Sequence, residues 1–422
     1  MTGYERAGPV RFVAQRGHKA VAVAAWGNGK RGFPVKAHLH SMMILIGVLL
    51  IPVRLAAQAA SSEFISFDAP GASSVTASFD GSVAQSINDA GAITGHYVDA
   101  NTLYHGFLRT PGGEFIIIDA PGVGTSVGFR INSPNGSRFA STITINNHGT
   151  ITGDYTDAHN VTHGFVRSPS GKFTTFDAPG ARSVEGAFEG TLPCSINNEG
   201  TITGNYMDSK EVIHGFLRNP AGGFITFDVP GASSAAGNGT FPKRINDAGA
   251  VAGHYTDAHY LMHGFVRSPS GQIATFDAPD ADKTAGSGNG SFPNSINSEG
   301  TITGYYTDTK NVIHGFVRSP GGEFNTFDAP GAGSVAASGY GTFPNSINDA
   351  GAVAGHYTDA QGVTHGFERN PSGKIVTFDA RGAGSMAASG YGTFPESING
   401  AGAITGRYAD DHGIIHGFLR RP

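Results

Sequence analysis

The sequence predicts an all-β protein: a seven-bladed β-propeller of four-stranded antiparallel blades. Three observations predict it. A unit of about fifty residues recurs along the chain, turn signatures divide that unit into short strands, and the first and last copies are cut at complementary points.

The repeat is read by comparing the chain with itself. A His-Gly-Phe triplet begins at His105, His163, His214, His263, His314, His365 and His416. An Ile-Asn pair begins at Ile87, Ile145, Ile196, Ile245, Ile296, Ile347 and Ile398, each 18 residues before its histidine. An Asp-Ala-Pro-Gly-like element carries Asp68, Asp119, Asp177, Asp228, Asp277, Asp328 and Asp379. Only the connection from that element to the next Ile-Asn varies. It is seven residues longer before Ile145 and two shorter before Ile245.

One copy shows the four strands a to d: Ser295–Asn297, Thr301–Tyr306, Val312–Arg318 and Glu323–Asp328. Asn297-Ser-Glu-Gly300, Asp308-Thr-Lys-Asn311 and Ser319-Pro-Gly-Gly322 separate them, each with residues suited to tight turns. Hairpin turns between successive strands make an antiparallel meander, and glycine or proline at every turn argues against helix. The repeats open with a lone d strand, Glu63–Asp68, and close on a c strand, His416–Pro422. Pairing the N-terminal d strand with the C-terminal c strand completes a blade and closes the ring, which removes free sheet edges.

Composition agrees. The chain has 63 Gly, 22 Pro and 14% charged residues, too much glycine for a helical protein, and 28 Phe for a core. Residues 1–60 read as a leader and signal peptide. An apolar core at 42–53, too short to span a bilayer, follows a basic stretch and precedes small residues at 55–60. The propeller is then 61–422, secreted or periplasmic, with no membrane span in the mature chain and a monomer expected. The single cysteine, Cys194, forms no internal disulfide and reads as a small buried residue. The leader carries eight Lys/Arg and one Glu; taken from 28 basic and 33 acidic residues, this leaves 20 against 32, a net charge of −12. Such an acidic body excludes nucleic acid as the expected partner.

The Ile-Asn-x-x-Gly turn, the Gly-x-Tyr step and the His-small-Phe strand resemble those of the predicted extracellular HAF-repeat family, across residues 61–422. This chain carries Gly rather than Ala in the triplet, as at Gly106 and Gly315, and Arg after it, as at Arg109 and Arg318. The resemblance implies secretion and brings no activity with it.

Residues present in every copy are expected to build blades. Asp99, Asp157, Asp208, Asp257, Asp308, Asp359 and Asp410 open the b–c turns and should cap backbone N–H groups. The triplet histidines should be buried and hydrogen-bonded. The middle residue of Gly-x-Tyr varies instead: His96, Asp154, Asn205, His254, Tyr305, His356, Arg407. Placed opposite the triplet histidine, it would form the pairs His96/His105, His254/His263 and His356/His365. These lack further ligands, so no metal site is expected. Without nucleophile or phosphate-loop motifs, no catalytic residue and no cofactor are expected either.

Function is expected on the face formed by the b–c turns and the variable connections. The long connection holds Phe129, Arg130, Asn132, Arg138 and Phe139, an aromatic and basic group of the kind that marks interaction hot spots. Tyr260, Tyr340 and Tyr391 should extend it. These features favour a secreted, non-catalytic binding or surface-interaction protein whose extracellular ligand is a polysaccharide or a protein. The alternative is an extracellular enzyme acting on a carbohydrate or related polymer at the channel mouth.

Overall fold

The computed structural model describes residues 63–76, 80–122, 142–184, 190–386 and 390–422. The leader and the long connection at 123–141 lie outside them. The chain forms repeated four-stranded antiparallel sheets in the order a-b-c-d. Each is named below by its triplet histidine. The His263 sheet is representative, with strands Thr240–Ile245, Val251–Thr256, Met262–Arg267 and Ile273–Phe276. In the His416 sheet the fourth strand is Glu63–Phe67, from the start of the described chain. It pairs antiparallel with Ile415–Arg421, from Glu63↔Arg421 to Phe67↔Gly417.

The sheets are not all separate. A single residue pair stitches a c strand, in parallel, to the start of the next a strand. Ile313↔Gly341 and Thr364↔Gly392 thereby merge three sheets into a mixed sheet of twelve strands, where purely antiparallel blades were expected. The same bridge recurs singly at Gly81↔Ile415, Thr162↔Gly190, Ile213↔Gly239 and Met262↔Gly290. Glycine is obligatory there. At Gly290 φ is +135°, and a Cβ would lie 1.9 Å from the Met262 carbonyl oxygen.

The asparagine of each Ile-Asn pair has two tasks. Its Oδ1 accepts from the backbone N–H four residues on, closing the a–b turn at 2.8–2.9 Å: Asn88 from Ala92, Asn146 from Thr150, Asn297 from Thr301, and so on. Its Nδ2 donates to the asparagine carbonyl of the next sheet. The series runs Asn88 to Asn146, Asn197, Asn246, Asn297, Asn348 and Asn399, and from Asn399 back to Asn88, at 2.9–3.3 Å.

Apolar packing fills the space between neighbouring sheets. Phe107, Phe216, Phe265, Phe316, Phe367 and Phe418 of the c strands are fully buried. The arginine two residues later reaches back over the d-strand phenylalanine of the preceding sheet. Arg318 lies 4.4 Å from the Phe276 ring centre and Arg109 lies 4.8 Å from that of Phe67. Where the preceding d strand has Ile118 instead of Phe, Arg167 keeps the longer contact with Phe173 of its own sheet, at 6.0 Å, a contact that Arg318 also makes with Phe324 at 5.9 Å.

Asn297→Ala should cost about 2 to 4 kcal/mol, because the Thr301 N–H and the Asn348 carbonyl both lose a buried partner. Ser298→Ala, next to it and exposed, should change stability by less than about 0.5 kcal/mol. Chemical denaturation of the two variants measures the difference.

Candidate functional site

The a strands are where the copies diverge. Each described a strand long enough to show it contains a bulge at which one extra residue enters the ladder between the proline (Ala84 in the first) and the residue two further on. The extra residues are Gln85, Cys194, Lys243, Asn294, Asn345 and Glu396. A strand that is first in its sheet tolerates proline at a bulge because no ladder hydrogen bond is lost. The asparagine series gathers the ends of these strands, so their bulges face a shared interior. Side chains from separate sheets feel one another there. Arg244 is within electrostatic reach of Cys194 and Glu396, and Cys194 of Lys243, Asp154 and Arg244. Glu396 is ion-paired with Arg407; their side chains keep 26% and 32% of their surface open to water. The interior is a recess, deep but wet.

Burial dominates the acid–base behaviour of its walls. It lowers His96 to about 4 and His356 to about 3, with the Arg407 charge acting in the same direction, so both imidazoles are neutral at pH 7. Tyr305 is pushed up to about 12 by burial. Burial also raises the Glu396 carboxyl, against the opposing pull of Arg407 and Arg244.

Along one side runs an unbroken series of rings. Phe241 stacks on His254 at 5.0 Å, His254 meets Phe292 at 5.4 Å, and Phe292 stacks on Tyr305 at 4.8 Å. Tyr305 meets Phe343 at 5.4 Å, Phe343 stacks on His356 at 4.8 Å, and His356 meets Phe394 at 5.3 Å. Arg407 ends the series 4.8 Å over Phe394. Each stacked pair joins cross-strand neighbours within a sheet, and each tilted or edge-on contact reaches the next sheet.

This arrangement corrects the expected histidine pairs. Tyr97, not His96, lies opposite His105, and His96 lies opposite Gly106; Tyr255/His263 and Tyr357/His365 repeat the pattern. The b–c turn holds one residue more than a register with His96 opposite His105 requires: Asp99 and Leu103 close it, with Thr102 at φ 63°. Adjacent strand positions point to opposite faces, so His96 and His105 cannot share a ligand. The triplet histidines stack on the tyrosines instead, as Tyr97 on His105 at 5.0 Å.

Each triplet histidine is also held between two aspartates. In the His263 sheet Nδ1 is 2.9 Å from Asp277, and Nε2 is 3.5 Å from Asp257. The ring is hydrogen-bonded, as expected, but only partly buried, with 21% of its surface open. Asp257 performs the predicted cap, its Oδ1 accepting from the His259 and Leu261 N–H groups. Burial pushes the Asp257 carboxyl up, but those two N–H groups and His263 together hold it below the ordinary value. The Asp277 hydrogen bond raises His263 against the effect of burial.

Phe129, Arg130, Asn132, Arg138 and Phe139 lie outside the described residues. Of the three tyrosines expected beside them, only Tyr260 presents an exposed ring, on a turn residue at φ 62°. Tyr340 is half-buried, and its hydroxyl would lie 2.8 Å from a Cβ at Gly362. Tyr391 is buried against Ala409 and Ile415 of its own sheet and Val83 of the His105 sheet. The recess is hard to read from the sequence because its lining alternates with recurring positions, the proline of five copies and the Ile-Asn pair of all seven. Variation between copies at Val83, Leu192, Phe241, Phe292, Phe343 and Phe394 was the available signal.

No family model and no curated protein sequence matches the chain. Solved structures do. A lectin from Burkholderia pseudomallei matches at 11% identity and a TM-score of 0.46, over 78% of this chain and 91% of its own. The AofleA protein of Arthrobotrys oligospora matches at 13% and 0.43, over 75% and 90%. The Aleuria aurantia lectin, described as a six-bladed β-propeller that recognises fucose, matches at 12% and 0.37, over 85% and 91%.

The histidine cradle predicts a pH dependence of two signs. His263, His314 and His416 are raised above 6.5, so their contribution is full below that value and is lost as pH rises through the raised one. Asp257 and Asp208 are lowered from 3.8, so theirs is full above that value and is lost as pH falls through the lowered one. Asp277→Asn should return His263 toward its ordinary value in an NMR titration. Its deficit in melting temperature should be larger at pH 5.5 than at pH 8.5.

Proposed function

We propose that the chain is a seven-bladed, ring-closed β-propeller of HAF-repeat type, exported through its leader, which binds carbohydrate without turning it over. Closure is supported by the pairing of Glu63–Phe67 with Ile415–Arg421, by the hydrogen bond from Asn399 to Asn88, and by Arg109 seated over Phe67. Burial of the a strand Ser82–Ile87 against Ile404–Ala409 supports it further.

The binding reading is carried by one observation. The aromatic series leaves Phe292, Phe343 and Phe394 partly exposed, with the polar bulge residues Asn294, Asn345 and Glu396 two positions along the same strands. The Asn294 and Asn345 Nδ2 groups are used on the Pro344 and Pro395 carbonyls, which fixes the amides and leaves their oxygens to accept. A sugar ring has an apolar C–H face and a rim of hydroxyls. Rings that receive the first, beside amide oxygens and a carboxylate that accept from the second, make a saccharide site. The enzyme alternative needs two carboxyls dividing acid and base roles, and Glu396 is already engaged by Arg407.

A glycan array probed with the purified protein should return at least one class of saccharide. The double variant Phe343→Ala, Phe394→Ala should bind it about 10 to 100 times more weakly, at about 1.4 kcal/mol for each tenfold step. The saccharide should be recovered intact after prolonged incubation; shortened products would favour the enzyme. Unchanged affinity in the double variant would remove the site from the recess. Deleting 63–68 tests closure separately, and should lower the melting temperature and cause aggregation by baring the edge of Ile415–Arg421.

A further inference from the structure

We infer that the recess is specific for an anionic saccharide, whose carboxylate or sulfate is held by Arg244 and Lys243. This rests on the carbohydrate-binding reading above and names the ligand class within it.

Arg244 breaks the repeat. In five other sheets its position is a serine, Ser86, Ser195, Ser295, Ser346 or Ser397, and the Oγ accepts from the isoleucine N–H of the following sheet at 3.4–3.5 Å. The His263 sheet gives up that bond for a guanidinium. Its neighbour Lys243 is the bulge residue, where the other sheets have Gln85, Cys194, Asn294, Asn345 and Glu396. Two adjacent cations thus enter the recess at one bulge, and bulges re-aim side chains.

Neither cation is satisfied. Among the described residues no hydrogen bond or ion pair is made by the side chain of Arg244 or Lys243, although burial lowers the Arg244 guanidinium. Both side chains are partly exposed, so a ligand can reach them, and an anion brought by that ligand would gain charge-assisted hydrogen bonds from donors not committed elsewhere. The surrounding charges do not supply one. Glu396 is taken by Arg407, and His96 and His356 are neutral at pH 7. With Asp154, the group holds three cations against two carboxylates, inside a body of net charge −12 over residues 61–422. General surface charge therefore does not account for the cations.

The sugar seat is adjacent. Phe292, partly exposed, meets His254, whose other ring contact, the buried Phe241, precedes Lys243 by two residues on the same strand. A pyranose on the open part of Phe292 would then direct an exocyclic carboxylate toward the cations beside His254. Arg offers that carboxylate, or a sulfate, a forked pair of donors.

The experiment is calorimetric titration of the full protein with trigalacturonate, with its methyl ester as the neutral form of the same sugar, and with a sulfated trisaccharide. Wild type should bind at least one acidic form at least tenfold more tightly than the ester. Arg244→Ser, which installs the residue of the other sheets, should abolish that preference and leave binding of the ester unchanged. Should Arg244→Ser fail to fold, Lys243→Asn, which installs the residue found at Asn294 and Asn345, takes its place. Equal affinity for acid and ester, or an acid preference that survives the substitution, overturns the anion site and leaves carbohydrate binding standing. An array that retains no saccharide of any kind overturns both.

Discussion

The asparagine amide of each Ile-Asn pair is the bond on which the rest depends. One side chain fixes its own hairpin through Oδ1 and its neighbour's position through Nδ2. An amide is the one group of this size that both accepts and donates in a plane. Aspartate would lose the donation and leucine both bonds. Because the amides are buried and each serves two backbone groups, a sheet cannot shift relative to the next without stranding a polar atom. The sheets are thereby held at one fixed distance at the ends of their a strands, and packing elsewhere conforms to that spacing.

Further out the same spacing is kept by contacts of another kind. The c-strand phenylalanine, the d-strand phenylalanine and the arginine between them form an apolar and cation–π layer. The Ile118 exception shows how local that layer is: with one ring missing Arg167 has no ring of the preceding sheet beneath it, and in the next sheet Arg218 lies over Phe176 at 4.7 Å as usual. The triplet glycine belongs to this layer. In the His263 sheet a Cβ at Gly264 would meet the Phe276 ring at 2.4 Å, and at Gly106, where the d strand ends in Ile118, it would meet the Ile118 carbonyl oxygen at 2.7 Å. The glycine of the His-Gly-Phe triplet thus has a steric cause.

What was legible in the sequence was whatever recurs. Fixed spacing from Ile to His, turn residues with one preferred conformation, and the cut of the first and last copies define strands and their order without any side-chain coordinates. The Asp257 cap was legible for the same reason. The register of the b–c hairpin was not. It hangs on a single left-handed residue, Thr102, Asn160, Glu211, Tyr260, Asn311, Gly362 or Gly413, and even where Asn or Gly marks that residue it does not say how many residues the turn holds. A one-residue slip sends every side chain of a strand to the other face, and so His96 was placed beside His105 instead of behind it. The bulges were also hidden, since an extra residue shows only in the pairing.

The division between fixed and variable positions is itself physical. A residue that holds two sheets together is constrained by both, so Asn, Gly and Phe recur around the molecule. A residue at the bulge carries less of that load: Gln85, Asn294 and Asn345 each bond backbone of the next sheet, yet Cys194, Lys243 and Glu396 stand in equivalent places with no such bond among the described residues. Repetition therefore builds a scaffold whose interior is uncommitted, and chemistry enters where a copy departs from the others. Most departures there exchange one uncharged residue for another. Arg244 does more, because it surrenders a hydrogen bond between sheets that the serine in its place elsewhere provides, and it sets a second cation beside Lys243. Both effects lower the stability of the empty protein. A ligand that neutralises the guanidinium restores part of what was lost, and it binds the folded state alone, since the recess does not exist in the unfolded chain.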